Sequence, residues 1–151
     1  MSDEQPVENV MTVYCDGSIT GPNPGGHGYT GWVIYTTMCG IVHKHSDDLG
    51  SYPKMSNNVA EYGALISVLN YLKLFQMTTL KVTLRTDSQL VVRQLTGEYQ
   101  CHQPHLLMLR DSVLRLSKIF PKGITFEWIP REENTVADEM SKSLWKCASP
   151  E

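Results

Sequence analysis

Between Met11 and Ser18 the chain reads Met-Thr-Val-Tyr-Cys-Asp-Gly-Ser, a pattern that a β-sheet satisfies. Met11, Val13 and Cys15 alternate with Thr12, Tyr14 and Asp16, the period of a half-buried strand. Asp16 stands just before Gly17, where the strand is expected to end. Desolvating an unpaired carboxylate in a central strand costs several kcal/mol, roughly, unless a cation or hydrogen-bond donors compensate it. The remaining sequence therefore has to provide a sheet around this segment and a partner for its acid.

At 151 residues the chain has the length of one domain able to bury most of its apolar surface. We expect a loosely held lead-in over 1–10, a single domain over 11–147 and a tail over 148–151. Gly17 to Gly28 is rich in turn residues and fits a hairpin connection. It lacks the Lys-Ser/Thr of a phosphate-binding P-loop, and no helical pattern follows it. Tyr29 to Thr37 and Cys39 to Ser46 read as two more strands, and Asp47 to Lys54 as a polar loop. His43 and His45 lie two apart on one face of the third strand; two unligated histidines on an exposed face is the simpler reading than a metal site.

From Ser56 to Phe75, Val59, Tyr62, Ile66, Leu69 and Leu72 recur at helical spacing, with Ser56 or Asn57 placed to cap the start. Ala60, Leu65 and Val68 widen that stripe, so this helix is expected to be buried on much of its circumference. Leu80 to Arg85 alternates as a strand and runs into Thr86-Asp87-Ser88-Gln89, which opens a helix to about Thr96. Gly97 to Pro104 connects to a helix over His105 to Phe120. A short strand over Ile124 to Ile129, a loop over Pro130 to Glu133 and a helix capped by Asn134, reaching about Cys147, complete the order. Three strands in series suit an antiparallel meander, and the later two, reached through helices, suit parallel additions. The fold class is α/β: one mixed five-stranded sheet with helices on both faces.

No apolar run approaches the roughly 20 residues of a membrane span, and the polar, acidic start is unlike a signal peptide. A cytoplasmic protein with no membrane partner is expected. The four cysteines, Cys15, Cys39, Cys101 and Cys147, form no Cys-x-x-Cys pair, so reduced and mostly buried thiols are expected rather than a zinc site or a disulfide framework. The formal net charge of −3 argues against a strongly basic nucleic-acid surface. It leaves open a partner whose phosphates are met through cations on an acidic site.

Four acids fall at the ends of these elements: Asp16 in the first strand, Glu61 early in the buried helix, Asp87 at the tip of the fourth strand and Asp138 early in the last helix. Open α/β sheets collect functional groups at the carboxyl ends of their strands. Each acid also has a plain structural reading: Asp87 as a helix cap, Asp138 against the helix dipole, Glu61 as a surface residue.

The local sequences around these acids resemble type 1 ribonuclease H, in its shorter bacterial and archaeal form. The matching motifs are Tyr14-Cys15-Asp16-Gly17-Ser18 with Asn23-Pro24-Gly25-Gly26 and Gly28, Ser56-Asn57-Asn58-x-x-Glu61, Thr86-Asp87-Ser88-Gln89, and Asn134-x-x-x-Asp138. The segment Trp128-Ile129-Pro130-Arg131-Glu132-Glu133-Asn134 resembles the family's loop. The likeness runs from about Met11 to Trp145 in the family's order, and implies a ribonuclease H-like fold. It also implies an endonuclease that cuts the RNA strand of RNA–DNA hybrids, leaving 5′-phosphate and 3′-hydroxyl ends. Asp16, Glu61, Asp87 and Asp138 would be the catalytic residues and the ligands of two Mg²⁺ ions, with Mn²⁺ as a substitute; oxygen-only ligands suit these metals. In the family's scheme Asp16 bridges both ions, Asp138 serves the ion that activates water, and Glu61 and Asp87 hold the ion on the leaving oxygen. Gly17, Ser18, Asn23, Ser56, Asn57, Asn58, Ser88, Gln89 and Asn134 would contact substrate. Among them Asn57, Asn58 and Gln89 would sense the minor groove and the 2′-hydroxyl, and Ser56 would join a DNA-phosphate pocket. No obligate protein partner is implied, and a monomer is expected.

The sequence departs from the family at two points. The loop from Ile129 to Asn134 lacks the His many members carry, and Gly97 to Gln103 lacks the basic residues of the substrate-gripping protrusion. Weak substrate affinity with a modest salt dependence is therefore expected. The competing readings are a non-catalytic hybrid- or RNA-binding module and a same-fold nuclease acting on double-stranded RNA or branched DNA.

Overall fold

The structure, a computed structural model, describes residues 6–145. The expected tail, positions 146–147 of the expected final helix and the first half of the expected lead-in lie outside the described residues; the final helix, expected to reach about Cys147, ends at Lys142. Ten elements follow in order: β1 Met11–Thr20, β2 His27–Thr36, β3 Gly40–Ser51, α1 Asn57–Leu74, β4 Val82–Thr86, α2 Gln89–Leu95, α3 Pro104–Ser117, β5 Ile124–Trp128, a 3₁₀ turn Arg131–Glu133 and α4 Thr135–Lys142. The strands form one sheet in the order β3-β2-β1-β4-β5. β1, β2 and β3 pair antiparallel, while β4 and β5 add in parallel, as expected.

The alternation read in β1 decides the two faces. Met11, Val13 and Cys15 join Trp32, Ile34, Val82 and Leu84 in the core under α1, whose Tyr62, Leu65, Leu69 and Leu72 are fully buried. Each buried side chain of this size contributes roughly 1.5–3 kcal/mol, so α1 and the three central strands hold the molecule together. α4 lies on the opposite face, packed on β2 and β1. No helix among the described residues is long and apolar enough to cross a membrane.

Two glycines, Gly17 on β1 and Gly31 on β2, let helices close on the two faces of the sheet at neighbouring levels. A Cβ on Gly17 would lie 2.2 Å from the Ala60 carbonyl carbon at the start of α1. A Cβ on Gly31, the register partner of Asp16, would lie 2.2 Å from the Ser141 nitrogen in α4. Only hydrogen at these positions allows backbone to approach so closely. Asp16 thus sits between these two close approaches, next to Gly17 in sequence and opposite Gly31 in register.

Several boundaries differ from expectation. β1 does not end at Gly17 but continues to Thr20, because Gly17 to Thr20 pair with Thr30 to His27 and reduce the connection to 21–26. Asp47 to Ser51 are strand rather than loop, since sheet partners satisfy their polar groups. Asp47 Oδ2 accepts from the Thr30 hydroxyl at 3.2 Å and from Ser67, while Asp48 accepts the Gly50 N–H at 2.8 Å and pairs with His27. His43 and His45 are half-buried rather than exposed. His43 stacks on Tyr71 at 4.9 Å and 6°, and His45 lies 5.1 Å from the Trp32 ring and bonds Asp47 at 2.7 Å. Of the three cysteines described, all free, Cys15 alone is buried; Cys39 is exposed and Cys101 intermediate, so the expectation of mostly buried thiols fails at a turn and a connection. Asn134 occupies the position before α4, yet its side chain makes no capping bond. Instead its Nδ2 donates to the Cys15 carbonyl at 2.8 Å, fastening α4 to β1.

Candidate active site

β1 delivers Asp16 from its middle, α1 delivers Glu61 from its second turn, β4 ends one residue before Asp87, and α4 carries Asp138 in its first turn. Carboxylate oxygens of Asp16, Glu61 and Asp87 all lie within 4.8 Å of one another, the one cluster of three or more His, Cys, Asp or Glu side chains among the described residues that could hold a metal ion. Asp138 lines the same cleft, but its Oδ2 accepts from Lys142 Nζ at 3.2 Å. The cleft has a volume of about 410 Å³ and is also lined by Gly17, Ser18, Asn57, Asn58, Ser88 and Arg131.

The arrangement is electrostatically uncomfortable. Burial, then the charges of Asp87 and Asp138, push Asp16 up to about 8. Burial, followed by Asp16 and Asp87, holds Glu61 well above the usual carboxylate range, opposed by the Gly17 N–H on its carboxylate. Asp87 is raised by burial and by Asp138, with Arg131 pulling the other way. Acids crowded out of water in this way favour protonation or a cation. The donors are all carboxylate oxygens, a set suited to a hard divalent ion.

Neighbouring polar groups hold the acids in place. Thr86 Oγ1 donates to Glu61 Oε2 at 3.3 Å and also accepts the Ser88 N–H at 3.2 Å, linking α1 to the tip of β4. Trp128 Nε1 donates to the Asp87 carbonyl at 3.2 Å. Ser141 Oγ lies 3.3 Å from Asp16 Oδ2.

The expected substrate contacts divide into two groups. Gly17, Ser18, Asn57, Asn58 and Ser88 line the cleft with the acids. The Ser18 hydroxyl is turned inward, donating to the Ser141 carbonyl at 3.0 Å, and Ser88 also caps α2 through the Val91 N–H. Outside that lining, Ser56 caps α1 through the Val59 N–H, Gln89 is exposed at the start of α2, and Asn23 is exposed in the turn after β1. Asn134 is 1% exposed, and its Nδ2 is on the Cys15 carbonyl of β1 rather than in the cleft lining.

Sequence reasoning missed Ile19, Ser141, Lys142 and Trp145, and saw Arg131 only as the occupant of a loop. Arg131, Lys142, Ile19 and Trp145 line the cleft. A signal was present: Asp138, Ser141, Lys142 and Trp145 are spaced i, i+3, i+4 and i+7, one face of a helix.

Residues 15–144 match the family described as reverse transcriptase-like. The chain is 34% identical over 139 residues to the bifunctional protein Rv2228c of Mycobacterium tuberculosis, covering 92% of this chain and 36% of that protein. It is 36% identical over 128 residues to ribonuclease HI of Halobacterium salinarum, covering 85% of this chain and 60% of that protein. The chain therefore spans between about a third and three-fifths of the length of these curated relatives. A crystal structure of RNase H1 from Halobacterium salinarum superposes with a TM-score of 0.80 at 32% identity, over 91% of this chain and 98% of that one. LC11-RNase H1, crystallised with an RNA/DNA hybrid, superposes with a TM-score of 0.80 at 31% identity, over 92% and 99%. With this fold, the acids in one cleft and these likenesses along nearly its whole length, the chain belongs to the reverse transcriptase-like family and, within it, to the type 1 ribonucleases H.

Proposed function

We propose that the chain is an endonuclease that hydrolyses the RNA strand of RNA–DNA hybrids with divalent cations, leaving 5′-phosphate and 3′-hydroxyl ends. The observation that carries this reading is the approach of the Asp16, Glu61 and Asp87 carboxylates to within 4.8 Å in an open cleft, with Asp138 beside them. Mutual repulsion without a cation, and the oxygen-only donor set, support Mg²⁺ or Mn²⁺ as the group these four acids hold. Two such ions, when bound, supply Lewis-acid activation of water and charge stabilisation in an in-line displacement.

The chain's own residues orient the substrate. Asn57, Asn58 and Ser88 offer donors and acceptors along the cleft wall, suited to the minor groove and the 2′-hydroxyl that distinguishes RNA from DNA. Gly17 lines the cleft beside Asp16, with its backbone N–H on the Glu61 carboxylate. Arg131 and Lys142 are the cations lining the cleft, placed to meet backbone phosphates. The hybrid bound by LC11-RNase H1 supports the choice of substrate.

Cleavage of an end-labelled hybrid in Mg²⁺ tests the proposal, with an RNA duplex and a DNA duplex of the same sequence alongside. The parent is expected to cut the RNA strand of the hybrid, and Asp16→Asn to fall to background. A parent inert in both Mg²⁺ and Mn²⁺, or an Asp16→Asn protein as active as the parent, refutes it. Preferential cutting of the RNA duplex assigns the same site a different substrate.

A further inference from the structure

Beyond carrying Asp138, α4 touches the acids through two further side chains, Ser141 and Lys142. Ser141 is fully buried. Its single hydroxyl proton is shared between the Asp138 carbonyl, three residues back at 2.8 Å, and Asp16 Oδ2 at 3.3 Å. Its backbone is gripped as well: its carbonyl accepts from Ser18, and its nitrogen packs against Gly31, the register partner of Asp16. The serine is thus held where α4 packs against β1 and β2. One residue on, Lys142 Nζ lies 3.2 Å from Asp138 Oδ2 and 5.5 Å from the centroid of the Trp145 ring.

A carboxylate that ligates a cation must be ionised, oriented and available. A hydroxyl donating to one of its oxygens favours the charged form and fixes its direction, leaving the other oxygen for the ion. An ammonium resting on a carboxylate oxygen does the reverse, because it supplies the positive charge that the ion would otherwise bring. We infer that Ser141 and Lys142 set the cation affinity of the cleft in opposite directions, Ser141 as a positioning residue for Asp16 and Lys142 as an internal counter-ion competing for Asp138. The inference rests on the nuclease reading above. When a cation takes Asp138, Lys142 leaves its oxygen while staying beside Trp145 on the cleft wall, where its charge faces the substrate backbone.

A purely structural account makes a different prediction. A helical serine commonly bonds the carbonyl one turn back, and an i,i+4 Asp–Lys pair gives a small helix stabilisation. On that account, removing either side chain leaves cation affinity unchanged.

The test is calorimetric titration of the full chain with Mn²⁺ in the absence of nucleic acid, for the parent, Ser141→Ala and Lys142→Met, with circular dichroism to confirm folding. Ser141→Ala is expected to weaken Mn²⁺ binding about tenfold, the lower range for losing a residue that orients a ligand. Lys142→Met is expected to tighten it about two- to fivefold, the range of a partly exposed ion pair. The Mg²⁺ concentration giving half-maximal hybrid cleavage should move in the same directions. Unchanged affinity in both variants, or shifts in the same direction, overturns the inference while leaving the nuclease reading intact. A parent that binds no cation overturns both. If Ser141→Ala does not fold, Lys142→Met decides alone: its side chain is 36% exposed and its loss opens no buried gap.

Discussion

Gly17 and Gly31 matter because of what they leave out. Each removes a side chain where a helix backbone has to pass, so neither is a turn glycine and neither has a positive φ. Gly31→Ala is expected to push α4 off the sheet and destabilise the protein by about 1–3 kcal/mol, as overpacking does, with loss of hybrid cleavage. Urea denaturation and the cleavage assay read both effects. Asn134 shows the converse case, a polar residue whose position suggested substrate but whose side chain holds the Cys15 carbonyl. Cys15 itself is expected to be inert: burial, with Glu61 and Asp16 nearby, pushes its thiol up and keeps it protonated. A thiol reagent applied to the folded protein should label exposed Cys39 and spare Cys15; mass spectrometry of the labelled peptides checks this.

At the scale of elements, both helices that lead into the cleft from the core side begin on a serine. Ser56 accepts from the Val59 N–H and Ser88 from the Val91 N–H. Ser56→Ala should lower stability by about 1 kcal/mol through the lost cap. If Ser56 also meets a DNA phosphate, the KM for hybrid rises with it; a fall in Tm with unchanged KM assigns it to the cap alone. Helix α1 was the most legible element: of the stripe read at the helical period, Val59, Tyr62, Leu69 and Leu72 are buried and Ile66 is half-buried, while Ala60, Leu65 and Val68, which widen it, are buried too. The C-terminal half of β3 was the least legible. Asp47 and Asp48 look like loop residues until Thr30, Ser67 and His27, brought up by β2 and α1, satisfy their carboxylates. α4 was readable as a helix, but the eight residues it spans present Ser141 and Lys142 to the acids only because Gly31 admits them.

For the whole molecule, the crowded acids make cation-free stability depend on pH in a definite sense. Asp16 is raised from its ordinary value to about 8, with Glu61 and Asp87 also raised. The folded state therefore holds protons that the unfolded chain releases near pH 4, so the contribution of these three acids to stability is fully present below that pH and is lost as pH climbs through about 8. In the presence of a chelator the Tm is expected to fall by several degrees between pH 5 and pH 8.5, and saturating Mg²⁺ should flatten that slope. A Tm that rises over this range, or ignores Mg²⁺ throughout, contradicts a shared acid site.

By itself the sequence determined the order of strands and helices, the two faces of β1 and the four acids, because periodicity and local motifs are properties of neighbours along the chain. It did not determine which polar side chains turn inward, since a serine or asparagine reads alike whether it meets substrate or a buried carbonyl. Tertiary structure decided that Asp16, Glu61 and Asp87 share one point while Asp138 is held by Lys142. It also brought Arg131, Lys142 and Trp145 to the cleft wall and Ser141 to Asp16. Those outcomes depend on how closely α1 and α4 approach β1, a distance set by two glycines, Gly17 and Gly31, each facing a helix far away in sequence.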